Sequence, residues 1–328
     1  MQIHVLKSGT YLACCLLLAA AGASAEPSEK TEHDWLGKMV AAAHQKDYSG
    51  TFIYQSGSYI ETSRISHLFD GENEHERLEG LDGERSEIIR KNGKVWCYLG
   101  DGKVMVAKRD GMRTFPSLLP EQFDLLLENY VIQQGQEERV AGFNARSILF
   151  HPKDKLRYTH RMWAQSDTGL LLKAVVLDEH EHVIEQYAFT QLNIGGNMDR
   201  SWIVPNKAPA SNLPESQPDN PVKLAPQTSG WVVYAMPAGF KKMAEVTRTV
   251  RDNHTQVTHL VFSDGLAGIS IFIEKLSEKP GIKTGLYSKG VIQIYSKVLD
   301  GNLLTVVGEV PARTVMQVAD SVRYGGQQ

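Results

Sequence analysis

Cysteine is scarce in this chain of 328 residues, which contains three. Cys14 and Cys15 lie in an apolar run at residues 10–22, so Cys97 is the single cysteine of the remainder. No later stretch is long and apolar enough to span a bilayer. A disulfide framework is therefore excluded for the remainder, and the fold must be stabilised by its hydrophobic core.

The apolar run has the surroundings of a secretory signal. Lys7 precedes it, and Ala23-Ser24-Ala25 follows it as a small-x-small cleavage site. The run is shorter than the roughly 20 residues that a membrane helix needs. A lipoprotein anchor would require a cysteine at the cleavage point, and Cys14 and Cys15 lie inside the run instead. We predict a signal peptide at residues 1–25 and an exported mature chain.

A strong net charge and catalytic signatures are also missing. The formal charge is −3, and no long basic run is present, which argues against nucleic-acid binding. The chain has no G-x-S-x-G elbow, P-loop, H-E-x-x-H or dinucleotide fingerprint. The acidic and histidine-rich residues 178–182 stand at a predicted hairpin tip, where only two ligands would converge. We predict no enzyme activity, no metal and no cofactor.

The sequence instead contains many short strands. A helix is predicted at residues 32–46, followed by strands joined by tight turns from residue 48 to 108. Apolar spacing predicts a second helix at 117–130, and three strands at 157–192 form the centre of a large antiparallel sheet. The expected fold class is α+β, mainly β. The predicted domains are a domain at 26–194 with a large curved antiparallel sheet and a few helices, a Pro-rich linker at 195–229, and a smaller α+β domain at 230–328 that ends in a helix at 311–323.

A helix laid across a curved sheet can leave an apolar hollow between the two. The predicted orientation of the side chains and their apolar character suggest which residues would bind a ligand in such a hollow. An ordinary core role is left open for each of them. The candidates are Phe52, Tyr54, Trp96, Leu126, Leu127 and Trp163.

The second domain carries a basic stretch, formed by Lys241, Lys242, Arg248 and Arg251. A solvated surface explains these residues, and so does a site for an anion or an acidic partner. Both alternatives remain open from the residues alone.

An ordered series of motifs across the mature chain resembles the RseB/MucB family of periplasmic regulators of the sigma-E envelope stress response. In the first domain the resemblance rests on Trp35-Leu36, Met39, Leu81-Asp82-Gly83, Arg85, Glu87, Ile88, Arg157-Tyr158, Trp163, Leu177-Asp178, Glu185-Gln186 and Phe189. In the second domain it rests on Gly239-Phe240, Phe262-Ser263-Asp264-Gly265-Leu266 and Val307-Gly308-Glu309-Val310-Pro311.

The resemblance implies a first domain similar to the lipoprotein carriers LolA and LolB, a half-barrel closed by helices. It also implies a negative regulator that binds the periplasmic region of a single-span, RseA/MucA-like anti-sigma factor. While bound, such a protein shields the factor from proteolysis, and lipid or lipopolysaccharide in the half-barrel releases it. The implied partner site lies around Phe240 and Ser263, Asp264, Gly265 and Leu266, with the nearby basic residues. The alternative is a periplasmic lipid or lipoprotein carrier without a signalling partner, and homo-oligomerisation stays open.

Overall fold

The computed structural model describes residues 29–91, 94–99, 104–108, 114–196, 198–200, 229–250, 255–276 and 283–325. The predicted signal peptide, Arg251 and most of the predicted linker lie outside these residues. Two hydrophobic clusters organise the described chain, one in each half.

The N-terminal half contains helix α1 (Glu29–Gln45), helix α2 (Asp124–Asn129) and an 11-stranded antiparallel sheet. Its strands are β1 (Tyr48–Ser56), β2 (Tyr59–Phe69), β3 (Glu74–Gly80), β4 (Ser86–Lys91), β5 (Lys94–Leu99), β6 (Val104–Lys108), β7 (Tyr130–Val140), β8 (Phe143–Pro152), β9 (Thr159–Gln165), β10 (Leu171–Leu177) and β11 (Val183–Ile194).

The order of strands in this sheet is β6-β5-β4-β3-β2-β1-β11-β10-β9-β8-β7. Strands β6 and β7 are consecutive in sequence, yet they form the two opposite edges. The chain that joins them must therefore cross the sheet from one edge to the other. We call residues 114–129, which lie in this connection, the crossing segment.

Helix α1 confirms the helix predicted at residues 32–46, and it buries Leu36, Met39, Ala42 and Ala43 against the sheet. The second predicted helix is largely wrong. Only Asp124–Asn129 is helical, and Tyr130 already begins β7. Pro116 and Pro120 lack the amide protons of a regular helix. The apolar residues with helical spacing lie in α2 and at its caps, from Phe123 to Tyr130, so the error lies in the predicted start of the helix at residue 117.

The C-terminal half contains a second antiparallel sheet of six strands, in the order β13-β14-β15-β18-β17-β16, and a two-stranded β12-β19 pair. The elements are β12 (Trp231–Val233), β13 (Lys241–Val250), β14 (Thr255–Ser263), β15 (Gly268–Lys275), β16 (Gly285–Lys289), β17 (Ile292–Leu299), β18 (Asn302–Gly308), α3 (Ala312–Ser321) and β19 (Val322–Tyr324).

Helix α3 buries Val315, Val318 and Ala319 against the C-terminal sheet, which confirms the predicted last helix. Strand β16 was not predicted, and its five residues are all exposed. An exposed edge strand has no buried face, so its sequence shows no alternation. The predicted fold class is confirmed: the protein is mainly β, with a large antiparallel sheet and a smaller C-terminal sheet domain. Within the described residues, no helix has the length and apolarity needed to cross a membrane.

Candidate functional site

The crossing segment packs its apolar side chains onto the face of the large sheet that carries Phe52. The Phe115 ring centroid lies 5.1 Å from that of Phe52 and 4.9 Å from that of Phe189. Leu119, Phe123 and Leu126 belong to the same buried cluster as these rings, together with residues of α1. We call this side of the sheet the inner face.

Apolar side chains pack closely where the crossing segment meets the inner face. A void between α1, the crossing segment and β10 measures about 10 Å³ and is lined by Met39, Pro116, Leu119 and Leu171 among others. A space of this size is no larger than one water molecule. An acyl chain therefore has no preformed room at this point, although the side chains that fill the face are apolar.

The strand register divides the six residues predicted for the hollow. Phe52 and Tyr54 lie on the inner face, and Leu126 and Leu127 pack with the same core from the crossing segment. Trp163 is opposite Lys173, Lys173 is opposite Ala188, and Ala188 is opposite Ile53, which alternates with Phe52. Trp163 thus lies on the outer face.

Trp96 also lies on the outer face. It is opposite Ile89, which pairs in turn with Arg77, Ser66 and Ser49 across β3, β2 and β1. Because directly paired residues share a face, Trp96 points away from Tyr48 and Phe52. Alternation of apolar and polar residues in one strand predicts which residues share a face of that strand. It does not tell which residues of the neighbouring strand lie on the same face of the sheet. A lipid-binding role remains a prediction for the four inner-face residues.

The outer face holds a cavity of about 700 Å³ beside β1, β2 and β3. Its lining includes Arg64, Arg77 and Glu79, and the Glu79 carboxylate lies 3.9 Å from Arg64 and 3.0 Å from Arg77. These cations are therefore already paired within the sheet. The lining is polar, unlike the inner face.

One hydrogen-bonded chain resembles catalytic machinery. Nε2 of His44 lies 3.0 Å from Oγ of Ser117, and its Nδ1 lies 3.0 Å from the Glu74 carboxylate. Burial raises the pKa of Glu74, but hydrogen bonds from His44 and His67 outweigh this and hold that pKa well below its ordinary value. Ser117 is only 7% exposed and borders the 10 Å³ void. These bonds anchor the crossing segment to α1.

The second feature of the site is a buried ion pair between the two domains. Nε of Arg157 donates to Oδ2 of Asp264 at 2.6 Å, and the side chains are 1% and 0% exposed. The Tyr130 hydroxyl donates to the same oxygen at 2.9 Å. Arg157 also contacts the Asp154 carboxylate and the Ala238 carbonyl oxygen. We call Arg157, Asp264, Tyr130 and Asp154 the buried latch.

The protonation of the latch follows from its surroundings. Burial lowers the pKa of Arg157, but Asp264 and Asp154 outweigh it and raise that pKa above its ordinary value. Burial and the nearby Asp264 raise the pKa of Tyr130 well above 10, so its hydroxyl keeps the proton that it donates. Burial lowers the pKa of His160, beside Tyr130, to about 4, which leaves that imidazole neutral.

The tight turn between β14 and β15 holds Asp264 in place. Its Oδ1 accepts the backbone amides of Leu266 and Ala267 at 3.0 and 2.8 Å. Gly265 follows with a φ of +104°, and a Cβ there would lie 2.9 Å from Cδ2 of Leu126. Glycine is therefore needed both for the backbone conformation and for the close approach of the crossing segment.

Further contacts join the domains beside the latch. The Thr314 hydroxyl donates to the Leu156 carbonyl oxygen at 2.9 Å, and the exposed Arg313 pairs with Glu179. Like charges also meet here: burial, and then the negative charge of Glu309, raise the pKa of Glu185 to about 7. We call these contacts between the two domains the junction. It combines the buried Arg157–Asp264 pair, the exposed Arg313–Glu179 pair and the repulsion between Glu185 and Glu309.

The residues predicted for partner binding form two groups in the structure. Phe240, Asp264 and Gly265 are buried, Ser263 is partly buried, and Leu266 packs against the N-terminal core, so these residues belong to the junction. Lys241, Lys242 and Arg248 are exposed on the edge strand β13. No pattern in the sequence distinguished the two groups. Arg157 carried part of the family resemblance, but its role in the latch was not foreseen.

Comparison with known proteins covers both halves of the chain. The model of the MucB/RseB N-terminal domain matches residues 31–207, and that of the MucB/RseB C-terminal domain matches residues 225–323. The chain belongs to the MucB/RseB family. Membership agrees with the resemblance predicted from its motifs.

The relatives of this MucB/RseB chain include named regulators. It is 33% identical to the sigma factor AlgU regulatory protein MucB of Pseudomonas aeruginosa, over 94% of this chain and 96% of that one. It is 23% identical to the sigma-E factor regulatory protein RseB of Escherichia coli K12, over 95% and 96%. A crystal structure of MucB in complex with MucA(peri) matches with a TM-score of 0.71 and 28% identity, covering 90% of this chain and 99% of that one.

Several motifs that carry the family resemblance meet at the junction. Arg157-Tyr158 comes from the first domain, and Gly239-Phe240 and Asp264-Gly265-Leu266 come from the second. Gln293 lies within 3.4 Å of the Tyr158 hydroxyl across the same boundary. The junction therefore brings together motifs from both halves of this MucB/RseB chain.

Proposed function

We propose that this protein is a periplasmic negative regulator of the sigma-E envelope stress response. It binds the periplasmic region of a single-span anti-sigma factor and protects that factor from regulated proteolysis. Lipid or lipopolysaccharide in the N-terminal domain releases it. The observation that carries the proposal is the match, over 90% of the chain, to MucB in complex with MucA(peri).

The proposed ligand site is the inner face of the large sheet. The apolar side chains of Phe52, Phe115, Phe189 and Leu126 that fill it are chemically suited to acyl chains. Release follows from population shift, since acyl chains that prefer the released state draw the protein toward it. The role is one of binding, without chemical turnover.

The proposed partner surface is the exposed basic edge next to the junction. Lys241 and Lys242 stand directly after the buried Phe240, and Arg248 lies further along β13. Lys242 is partly neutralised by Glu245, whose carboxylate lies 2.7 Å from its Nζ. Rim cations of this kind favour association with an acidic segment and lose strength with salt.

The proposal is tested with mature protein as bait in gently solubilised envelopes of the source bacterium, with and without added lipopolysaccharide. We expect recovery of one single-span inner-membrane protein, and its loss when lipopolysaccharide is added. The variant Lys241→Glu/Arg248→Glu should recover less of it, whereas Lys94→Glu, a charge reversal on β5 of the other domain, is the matched control.

Two results would contradict the proposal. Recovery of lipid with no protein partner would favour the lipid or lipoprotein carrier. Recovery of the membrane protein in equal amounts with and without lipopolysaccharide would leave the binding role intact and remove the lipid-sensing step.

A further inference from the structure

One side of the crossing segment packs against the inner face of the large sheet. Phe115 packs among Phe52 and Phe189, and Leu119, Phe123 and Leu126 continue the same cluster toward β7. The void between α1, the crossing segment and β10 is about 10 Å³. An acyl chain needs many times this volume, so it enters this part of the face only by displacing side chains of the segment.

The other side of the crossing segment meets the C-terminal domain. Leu126 lies against Gly265, and the Asn129 side chain occupies the position that a Cβ on Gly239 would take. Tyr130, the next residue, donates its hydroxyl to Asp264. Leu266 of the C-terminal domain packs into the N-terminal core from the same direction.

Leu126 belongs to both contacts at once. It is fully buried in the inner-face cluster, and its Cδ2 defines the closest approach to Gly265. A change that moves Leu126 away from the inner face therefore also removes its contact with Gly265, in the turn that holds Asp264. Close packing transmits such a displacement because no empty space absorbs it.

We infer that the crossing segment couples the two domains. Acyl chains that enter the inner face displace the crossing segment and thereby break the contacts of the buried latch that hold the C-terminal domain. This inference rests on the proposed function and adds the element through which lipid binding reaches the partner-binding half. Tyr130, Asn129 and Leu126 act as positioning residues, since they contact the C-terminal domain at Asp264, Gly239 and Gly265.

A reversible cross-link tests the coupling in the full mature chain. The variant Asn129→Cys/Gly239→Cys, in a Cys97→Ser background, places one cysteine on the crossing segment and one in the turn before β13, because the Asn129 side chain occupies the space that a Cβ on Gly239 would fill. The single variant Gly239→Cys controls for the positive φ of that glycine. The oxidised form ties the crossing segment to the C-terminal domain, and dithiothreitol frees it. The single variant Asn129→Cys in the same background controls for the lost amide.

The first measurement is independent of the partner. The rate at which the reduced double variant forms its disulfide is followed with and without lipopolysaccharide, and co-migration in gel filtration reports whether lipopolysaccharide is bound. We expect bound lipopolysaccharide to slow disulfide formation severalfold. An unchanged rate with lipopolysaccharide bound overturns the inference, whereas absence of lipopolysaccharide binding overturns the lipid-sensing proposal on which it rests.

The second measurement uses the periplasmic region of the anti-sigma factor. The oxidised double variant should require about tenfold more lipopolysaccharide for half-release than its reduced form or either single variant. Equal release from the oxidised and reduced forms overturns the coupling. If the wild-type protein binds the factor but lipopolysaccharide never releases it, the proposed function fails instead. A variant that does not fold is identified by its circular dichroism, and hydrogen–deuterium exchange of the wild-type protein then replaces the cross-link. We expect lipopolysaccharide to speed exchange at residues 114–129 and at residues 263–267 together, and faster exchange at the first range alone overturns the coupling.

Discussion

Two ion pairs join the same two domains of this protein and differ in burial. The side chains of Arg157 and Asp264 are 1% and 0% exposed, whereas those of Arg313 and Glu179 are 44% and 59% exposed. Asp264 is surrounded by Arg157, the Tyr130 hydroxyl and two turn amides, which together replace its hydration. The exposed pair exchanges its partners readily for water.

The difference shows that the stability of a charged side chain between the domains depends more strongly on its hydrogen-bond and ion-pair partners when it is buried than when it is exposed. A buried carboxylate that loses one donor keeps the cost of burial without the compensating contact. A surface ion pair contributes little because solvent and salt screen it. Substitutions at the buried latch should therefore destabilise the protein strongly, and substitutions of the exposed charges around it should have little effect. The following four predictions test this contrast.

Removal of Arg157 should have the largest effect. Arg157→Ala leaves Asp264 buried next to a neutral hydroxyl, and we expect a loss of about 3–5 kcal/mol in the free energy of unfolding. Urea unfolding followed by tryptophan fluorescence measures it. Adding Asp264→Asn should restore part of the loss, because no uncompensated charge then remains. A loss below about 1 kcal/mol for Arg157→Ala would show that water reaches the latch.

The repulsive contact should give the next largest effect, and it depends on pH. Burial and Glu309 raise the pKa of Glu185 from its ordinary 4.5 to about 7. The folded protein then holds a proton that the unfolded chain releases, so stability falls as pH rises from about 4.5 through 7. The expected decrease is on the order of 2 kcal/mol. Glu185→Gln should flatten this part of the unfolding profile, and an unchanged slope in that variant would assign it to other groups.

Tyr130→Phe should have a smaller effect. It removes one donor from Asp264 but keeps the aromatic ring in the core and leaves Arg157 in place. We expect about 1.5 kcal/mol of destabilisation, the value of one hydrogen bond to a charged group. Tyr158→Phe is the matched control, because that hydroxyl lies 3.4 Å from the neutral Gln293 amide. Equal effects of the two changes would argue against a special role for the charge of Asp264.

Arg313→Ala should have the smallest effect, below about 1 kcal/mol, and this effect should largely vanish in high salt. Glu179→Gln should behave in the same way, since either change breaks the same exposed pair. The comparison is made by urea unfolding at low and high ionic strength. A salt-independent loss as large as that of Arg157→Ala would remove the contrast between the two pairs.

The sequence predicted the strands well because their burial alternates in a regular way. In β15 every second residue is buried, and the paired β18 repeats the pattern. It failed at residues 117–123 because a proline such as Pro120 suits both the first turn of a helix and an irregular chain, and the helix begins only at Asp124. It could not place Trp96 and Trp163, since alternation within one strand does not fix the face that its neighbours share.

The sequence alone determined the fold class, the final helix with Pro311 at its start, and the family, because strand alternation, helix signals and ordered motifs are local properties. Only the tertiary structure decided that Arg157 and Asp264, 107 positions apart, form one buried pair. It also decided that the crossing segment fills the inner face and supports the C-terminal domain. The physical reason is that such contacts depend on which strands become the edges of the sheet, and this is a property of the folded chain as a whole.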